Sequence, residues 1–407
     1  MTFIPKWSQL ALSTRRLLAA RFWRSISQGT LVVDLALFLH ALGWHGASIG
    51  MVLGAGGLTG AGLNLLVGLI SDRWRRKPFL IAYEVLTCIC ALTAIIATNS
   101  ALLSIAIILG GFGRGANGAA GPFAPAEQAW LAEAVPAESR GMVYSVNTAI
   151  GFFGMTLGAL AAAVPPFLAP VMGVAASFRP LFGLVLLGNA VNLVLLTQTP
   201  EVHKTHPVRP QKSKSNSVQR QTENDFLLRL VVLNAFNGLA IGLTGPLMAY
   251  WFAKRFHIGP SAIGPVLAVT FAVTGLAALA VGKMTREIGL VRAVVWGRGG
   301  GLLLLLLLPV MPYYWLASLI YILRSALNRG TVGARQALVM TAVRDDRRSF
   351  AASLNALSMQ LPQSLGPAIA GALIGAGWFA TPFYLAAALQ GVYVWFYGRV
   401  FAPFERT

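Results

Sequence analysis

Acidic residues are scarce in this chain. There are 13 Asp and Glu among 407 residues, and all charged residues together make up 11 %. An ordinary soluble domain carries about 25 % charge, so a string of two or three soluble domains is excluded. Cysteine is nearly absent. Cys88 and Cys90 are the only two, and they lie two apart in an apolar segment, on different sides of a helix. Neither a disulfide framework nor a thiolate metal site follows. No His, Cys or carboxylate cluster has metal-ligand spacing, and no nucleophile stands beside a base. Hence no cofactor and no enzymatic reaction is expected. His203 and His206 lie in a polar stretch and read as solvated. The two-residue alternation of a membrane barrel is also missing.

What is present is hydrophobicity. Apolar residues make up 56 % of the chain, in uncharged tracts such as Val85 to Gly113, Gly141 to Phe178 and Ser349 to Gly398. A spanning helix needs about 20 apolar residues, so each tract reads as one or two spans. Turn and charge punctuation predicts twelve: 24–43, 47–70, 78–98, 101–132, 141–165 and 179–198, then 227–251, 260–282, 291–309, 313–341, 350–375 and 381–399. The expected plan is an all-α polytopic membrane protein. It has a lead-in (1–23), a six-helix bundle (24–198), a linker (199–225), a second six-helix bundle (226–399) and a tail (400–407). The linker is rich in Lys, Ser, Gln, Thr and Pro and lacks apolar periodicity.

The net charge of +19 would suggest nucleic acid in a soluble protein, but topology accounts for it without one. Of 32 Lys and Arg, 23 fall in the termini, the linker and the loops on the same side. Three, Arg179, Lys254 and Arg255, fall on the other side. By the positive-inside rule both termini and the linker are cytoplasmic, in an inner, cytoplasmic membrane. The basic N-terminus lacks a short apolar core and cleavage site, so it reads as a lead-in and not a signal peptide.

The chain repeats itself. Ala134-Val-Pro-Ala-Glu-Ser-Arg140-Gly-Met-Val-Tyr-Ser145-Val-Asn147 aligns with Ala342-Val-Arg-Asp-Asp-Arg-Arg348-Ser-Phe-Ala-Ala-Ser353-Leu-Asn355, 208 residues on. Gln128/Gln336 and Gly158/Gly366 recur in the same register. Duplicated halves are a mark of secondary transporters, with substrate bound between them near the midplane. Between spans two and three stands Gly68-Leu-Ile-Ser-Asp72-Arg73-Trp-Arg75-Arg76-Lys77-Pro78. It resembles the signature loop of the major facilitator superfamily, G-x-x-x-D-R-x-G-R-R/K, with Arg75 in place of the second Gly. A degraded copy is Gly282-Lys-Met-Thr-Arg286-Glu-Ile-Gly289. Span four adds Arg114-Gly-Ala-Asn-Gly118-Ala-Ala. The resemblance covers spans one to twelve and implies two six-helix bundles and alternating access. Within the superfamily the twelve-span plan resembles the drug/proton antiporter branch, although span five lacks that branch's Gly-Pro. Gly68, Asp72, Arg73, Arg76, Arg140 and Arg348 are then the expected cytoplasmic gate. The glycine-rich run Gly54 to Gly60 lies inside a span and reads as tight helix packing rather than a phosphate loop.

Ionisable groups within spans are costly and are functional candidates. Asp34 lies near mid-span and shares a face with Ser27 and Thr30. It is the proton-coupling candidate, provided that Arg114, at similar depth, does not pair with it. Glu84 and Glu127 lie nearer the cytoplasmic ends, where a salt-bridge role weighs equally. Arg324, Asn328, Thr331 and Arg335 form one polar stripe on span ten. With Arg114, Asn237, Gln360 and Gln363, the first three of these are the expected substrate-cavity residues. Interior Arg outnumbers interior acid, which leans toward an anionic or polar substrate. The leading expectation is proton-coupled export of a small molecule by a monomer whose other partners are protons and lipids. The alternative is proton-coupled uptake of an organic anion held by Arg114 and Arg324. A lipid flippase, and a membrane sensor or scaffold that transports nothing, are the rivals.

Overall fold

A computed structural model describes residues 11–70, 76–114, 130–131, 140–200, 217–344 and 347–405. Among them there are fifteen α-helices and no strand. The first half contains α1 (Leu12–Ala41), α2 (Gly46–Ile70), α3 (Arg76–Ile96), α4 (Ser100–Gly110), α5 (Arg140–Ala161), the short α6 (Pro165–Met172) and α7 (Arg179–Gln198). The second half contains α8 (Ser217–Thr244), α9 (Met248–Phe256), α10 (Pro260–Ile288), α11 (Leu290–Leu307), α12 (Tyr314–Gly330), α13 (Val332–Thr341), α14 (Arg348–Gly375) and α15 (Thr381–Phe401). Each of the twelve expected spans meets a helix or a broken pair of helices. Seven helices of the described chain are long and apolar enough to cross a membrane by themselves.

Local chemistry sets the ends. The Asn99 side chain accepts a hydrogen bond from the Ala101 amide at 2.7 Å and caps α4, as a short polar side chain at that position does. Gly111 terminates α4 in the left-handed region (φ 66°), where a Cβ is disfavoured. The expected uninterrupted span 101–132 is therefore corrected: Arg114 sits in the turn after α4 and not inside a helix. Span ten also breaks, at Thr331 between α12 and α13. At its front end α1 starts at Leu12, well before position 24, so part of the lead-in is helical. Likewise α8 starts at Ser217, inside the expected linker.

In a bilayer, apolar burial does not drive helices together; close packing does. The two halves touch along α2 and α14 and along α5 and α10. At Gly46, Gly50 and Gly54 the α2 backbone lies directly on the carbonyls of Gly371, Pro367 and Ser364. Within the halves the same contact occurs twice. Gly158 of α5 packs on the α1 backbone at Ile26 and Thr30, and Gly366 of α14 packs on the α8 backbone at Gly242 and Leu243. The 208-residue repeat seen in the sequence thus carries one packing device into both halves. Large apolar side chains such as Ile89, Ile96, Leu303 and Trp315 are exposed on the outside, the surface that lipid covers. At one end an aromatic cluster closes the second half. Trp251 lies 4.7 Å from Phe383, and Phe252 lies 5.5 Å from Tyr314, ring to ring. The Trp251 indole N–H donates to the Phe379 carbonyl at 2.9 Å.

Candidate functional site

In the first half the site begins at Asp34. It is 1 % exposed, and neither carboxylate oxygen has a hydrogen-bond partner among the described residues. The two residues expected to share its face are already committed. Thr30 donates to the Gly158 carbonyl at 3.1 Å, and Ser27 makes a long contact of 3.5 Å to the Val185 carbonyl. These fix α1 against α5 and α7 and leave Asp34 as the free group.

Arg114 does not reach Asp34. Its Nε donates to the Gly111 carbonyl at 3.1 Å, its guanidinium lies against Gly60 and Gly111, and Tyr83 is its polar neighbour. The glycines explain why a guanidinium fits there: a Cβ at either position would occupy its place. Among the described residues no pair between Asp34 and Arg114 forms. Glu84 is buried beside Arg24, 3.9 Å away, a structural ion pair. Glu127 lies outside the described residues.

The second half holds a different kind of interior. From Phe226 to Arg286, from Ile288 to Arg344 and from Arg347 to Phe404 it has no Asp or Glu at all. Four arginines nevertheless enter it. Arg298 is 3 % exposed; it donates to the Asn237 side-chain oxygen and lies 5.1 Å over the Tyr393 ring. Arg335 lies 5.9 Å over the same ring. Arg324 donates to the Thr244 hydroxyl at 3.3 Å. Arg329 contacts the Tyr321 hydroxyl at 3.4 Å and lies over Phe271. Arg298 is within electrostatic reach of both Arg335 and Arg324. Each of Arg298, Arg324 and Arg329 keeps a buried N–H without a hydrogen-bond partner among the described residues.

The expected stripe on span ten divides. Arg324 and Arg335 join the arginine set. Asn328 instead accepts from Gln390 at 2.9 Å and lies against Gly301. Thr331 donates to the Asn328 carbonyl at 2.8 Å and packs on Gly297. Both side chains lie against neighbouring helices, and the helix breaks at Thr331. Gln360 accepts from Asn64 at 2.8 Å, across the contact between the halves. The Gln363 backbone lies against Gly242. Asn237 is fully buried and points its amide at Arg298 and Met359.

Of the gate, Asp72 and Arg73 lie outside the described residues, as do the side chains of Gly68, Arg76, Arg140 and Arg348. Among the described residues an ion pair stands between the start of α8 and the residues just before α14. Glu223 of α8 accepts from Arg344 Nε and Arg347 Nη1, both at 2.8 Å. Glu223 was not singled out in the sequence because it stands in the polar run before the apolar part of α8. Its signal was the dense run Arg344-Asp-Asp-Arg-Arg348 at the start of α14. Arg298, Met359 and Tyr393 were also missed as a group.

The sequence matches the family model described as Major Facilitator Superfamily over residues 17–229 and 230–404. The chain belongs to the Major Facilitator Superfamily. Solved structures of this fold cover nearly all of it. A POT family transporter in complex with a thioalcohol-conjugated peptide aligns with a TM-score of 0.75 at 13 % identity, over 100 % of this chain and 99 % of that one. The nucleoside transporter NupG gives 0.68 at 14 %, over 96 % and 99 %. The D-xylose-proton symporter gives 0.72 at 14 %, over 94 % and 96 %. Among curated proteins, the uncharacterized membrane protein YJR124C of Saccharomyces cerevisiae is 24 % identical over 391 residues, 87 % of this chain and 86 % of that one. Superfamily membership makes this a multi-pass membrane transporter and not an enzyme.

Proposed function

We propose that the chain is a secondary transporter that moves an anionic small molecule by alternating access, in symport with protons. The observation that carries this reading is the second half: four arginines enter an interior whose sequence has no carboxylate between Phe226 and Arg286 or between Ile288 and Arg344. Charges inside a membrane are paired or functional. Among the described residues no carboxylate pairs with these arginines, and guanidinium is the group that recognises carboxylate or phosphate.

The proton reading rests on Asp34 of the first half, buried and without a hydrogen-bond partner among the described residues. An anion entering a cell whose interior is negative works against about 2.3 kcal/mol per charge for each 100 mV. Co-transported protons offset that cost. Symport therefore joins the two halves in one cycle, and import becomes the preferred direction over the export first expected. The charge asymmetry of the loops supports a reading with both termini in the cytoplasm, in an inner membrane. From Phe226 to Arg286 and from Ile288 to Arg344 the second half offers a cationic drug no carboxylate, which disfavours the drug exporter reading.

A thermal-unfolding screen of purified protein against organic anions, organic cations and uncharged sugars tests this. A ligand of the folded state raises the melting temperature. Anions alone should do so at matched ionic strength. Stabilisation by cations or sugars, with none by anions, would overturn the reading.

A further inference from the structure

Five side chains from five helices converge in the second half: Asn237 (α8), Arg298 (α11), Arg335 (α13), Met359 (α14) and Tyr393 (α15). Two strong donors aim at one weak acceptor there. Arg335 Nη2 lies 3.2 Å and Asn237 Nδ2 lies 3.4 Å from the Met359 sulfur. A thioether sulfur accepts hydrogen bonds poorly, and donors of this strength belong on an oxyanion. Asn237 is oriented for the task, because its oxygen is taken by Arg298. The surplus continues around the ring. Arg298 Nε and the Tyr393 hydroxyl are buried with no hydrogen-bond partner among the described residues, and Arg298 and Arg335 both lie over Tyr393. Methionine is unbranched and flexible, so its sulfur can swing away.

We infer that this cluster is an oxyanion site for a ligand group bearing two negative charges, either a phosphate monoester or a pair of adjacent carboxylates, and that the Met359 sulfur stands where a ligand oxygen binds. The charge count follows from the site. Two guanidiniums share one aromatic ring with no carboxylate paired to them among the described residues, so a monoanion would leave one buried positive charge uncompensated, and a dianion would not. This specifies the substrate class within the anion-transport reading and rests on it.

The test counts charge. Purified protein is titrated at about pH 8 and constant ionic strength with inorganic phosphate and malonate as dianions, and with acetate and lactate as monoanions. Apparent affinity is read from the concentration dependence of the melting temperature. The wild type should prefer the dianions. Arg335→Gln removes one charge and one strong donor. It should weaken phosphate and malonate by at least about tenfold, the weight of one charge-assisted hydrogen bond, while acetate and lactate change little. Met359→Ala withdraws only the competing sulfur and should bind phosphate as tightly as wild type or more so. It also keeps the inference testable should Arg335→Gln fail to fold. Wild-type dianion affinity in Arg335→Gln, or loss of phosphate binding in Met359→Ala, would overturn this site and leave anion transport standing. A wild type that responds to no anion would overturn both.

Discussion

Asp34 and Arg298 show how differently two buried charges are treated in one molecule. Asp34 has no hydrogen-bond partner among the described residues, whereas Arg298 is held by an amide oxygen and an aromatic face. A carboxyl without fixed partners exchanges its proton without breaking a network. Asp34→Asn imitates the protonated form. It should retain substrate binding and exchange between equal pools, yet lose accumulation driven by a pH gradient in proteoliposomes. Accumulation at the wild-type level would remove Asp34 from coupling. Glu84 plays the opposite part. It sits beside Arg24 with both side chains almost fully enclosed, and Glu84→Ala leaves the cation behind. Breaking such a pair costs about 3 kcal/mol or more, so the melting temperature in detergent should fall clearly while coupling in the surviving protein is unchanged. Asp34 stood out in the sequence because a lone acid in an apolar run needs no tertiary information to be noticed. Its freedom from Arg114 was not legible. That depended on Gly111 turning the chain at the end of α4 and aiming the guanidinium at Gly60 and Tyr83.

Helix pairs carry the next level of the account. Span positions were readable because about 20 apolar residues suffice to mark a crossing. The breaks at Gly245 to Leu247 and at Thr331 were not, since a helix that stops inside the membrane keeps its apolar composition. The arginine cluster was unreadable as a unit for a related reason. Residues 237, 298, 335, 359 and 393 come from five helices, and periodicity within one helix says nothing about its neighbours. The available signal was the lack of acid from Phe226 to Arg286 and from Ile288 to Arg344, and it is a property of several spans together. Glycine contacts give the sharpest prediction at this scale. Gly158 and Gly366 do the same work on α1 and on α8, with backbone where any Cβ would go. Gly158→Val and Gly366→Val should each cost about 1–3 kcal/mol or more through forced backbone shifts, seen as similar drops in melting temperature. A mild effect of one beside a severe effect of the other would break the equivalence. In the aromatic cluster, Trp251→Ala removes a fully buried ring and its hydrogen bond to Phe379. A loss of about 3–5 kcal/mol is expected.

For the molecule as a whole, the two halves divide the labour. In the proposed cycle Asp34 of the first half takes the proton and the arginines of the second half take the anion. The halves meet through α2 on α14 and α5 on α10, where glycine lets backbones touch, a contact suited to rocking about a fixed site. Orientation follows from loop charge and is checked by labelling. A cysteine at His45, exposed in the turn before α2, should react from outside, and one at Ser213 only after permeabilisation; equal external reactivity would contradict the orientation. The central claim, anion movement coupled to protons, is tested most directly by flux. Proteoliposomes containing the wild type, with an alkaline interior, are offered labelled malonate, phosphate and an organic cation. The account predicts that one of the anions accumulates above its equilibrium level, that dissipating the pH gradient abolishes this, and that the cation stays at equilibrium. Accumulation of the cation alone, or anion uptake indifferent to the pH gradient, would contradict it.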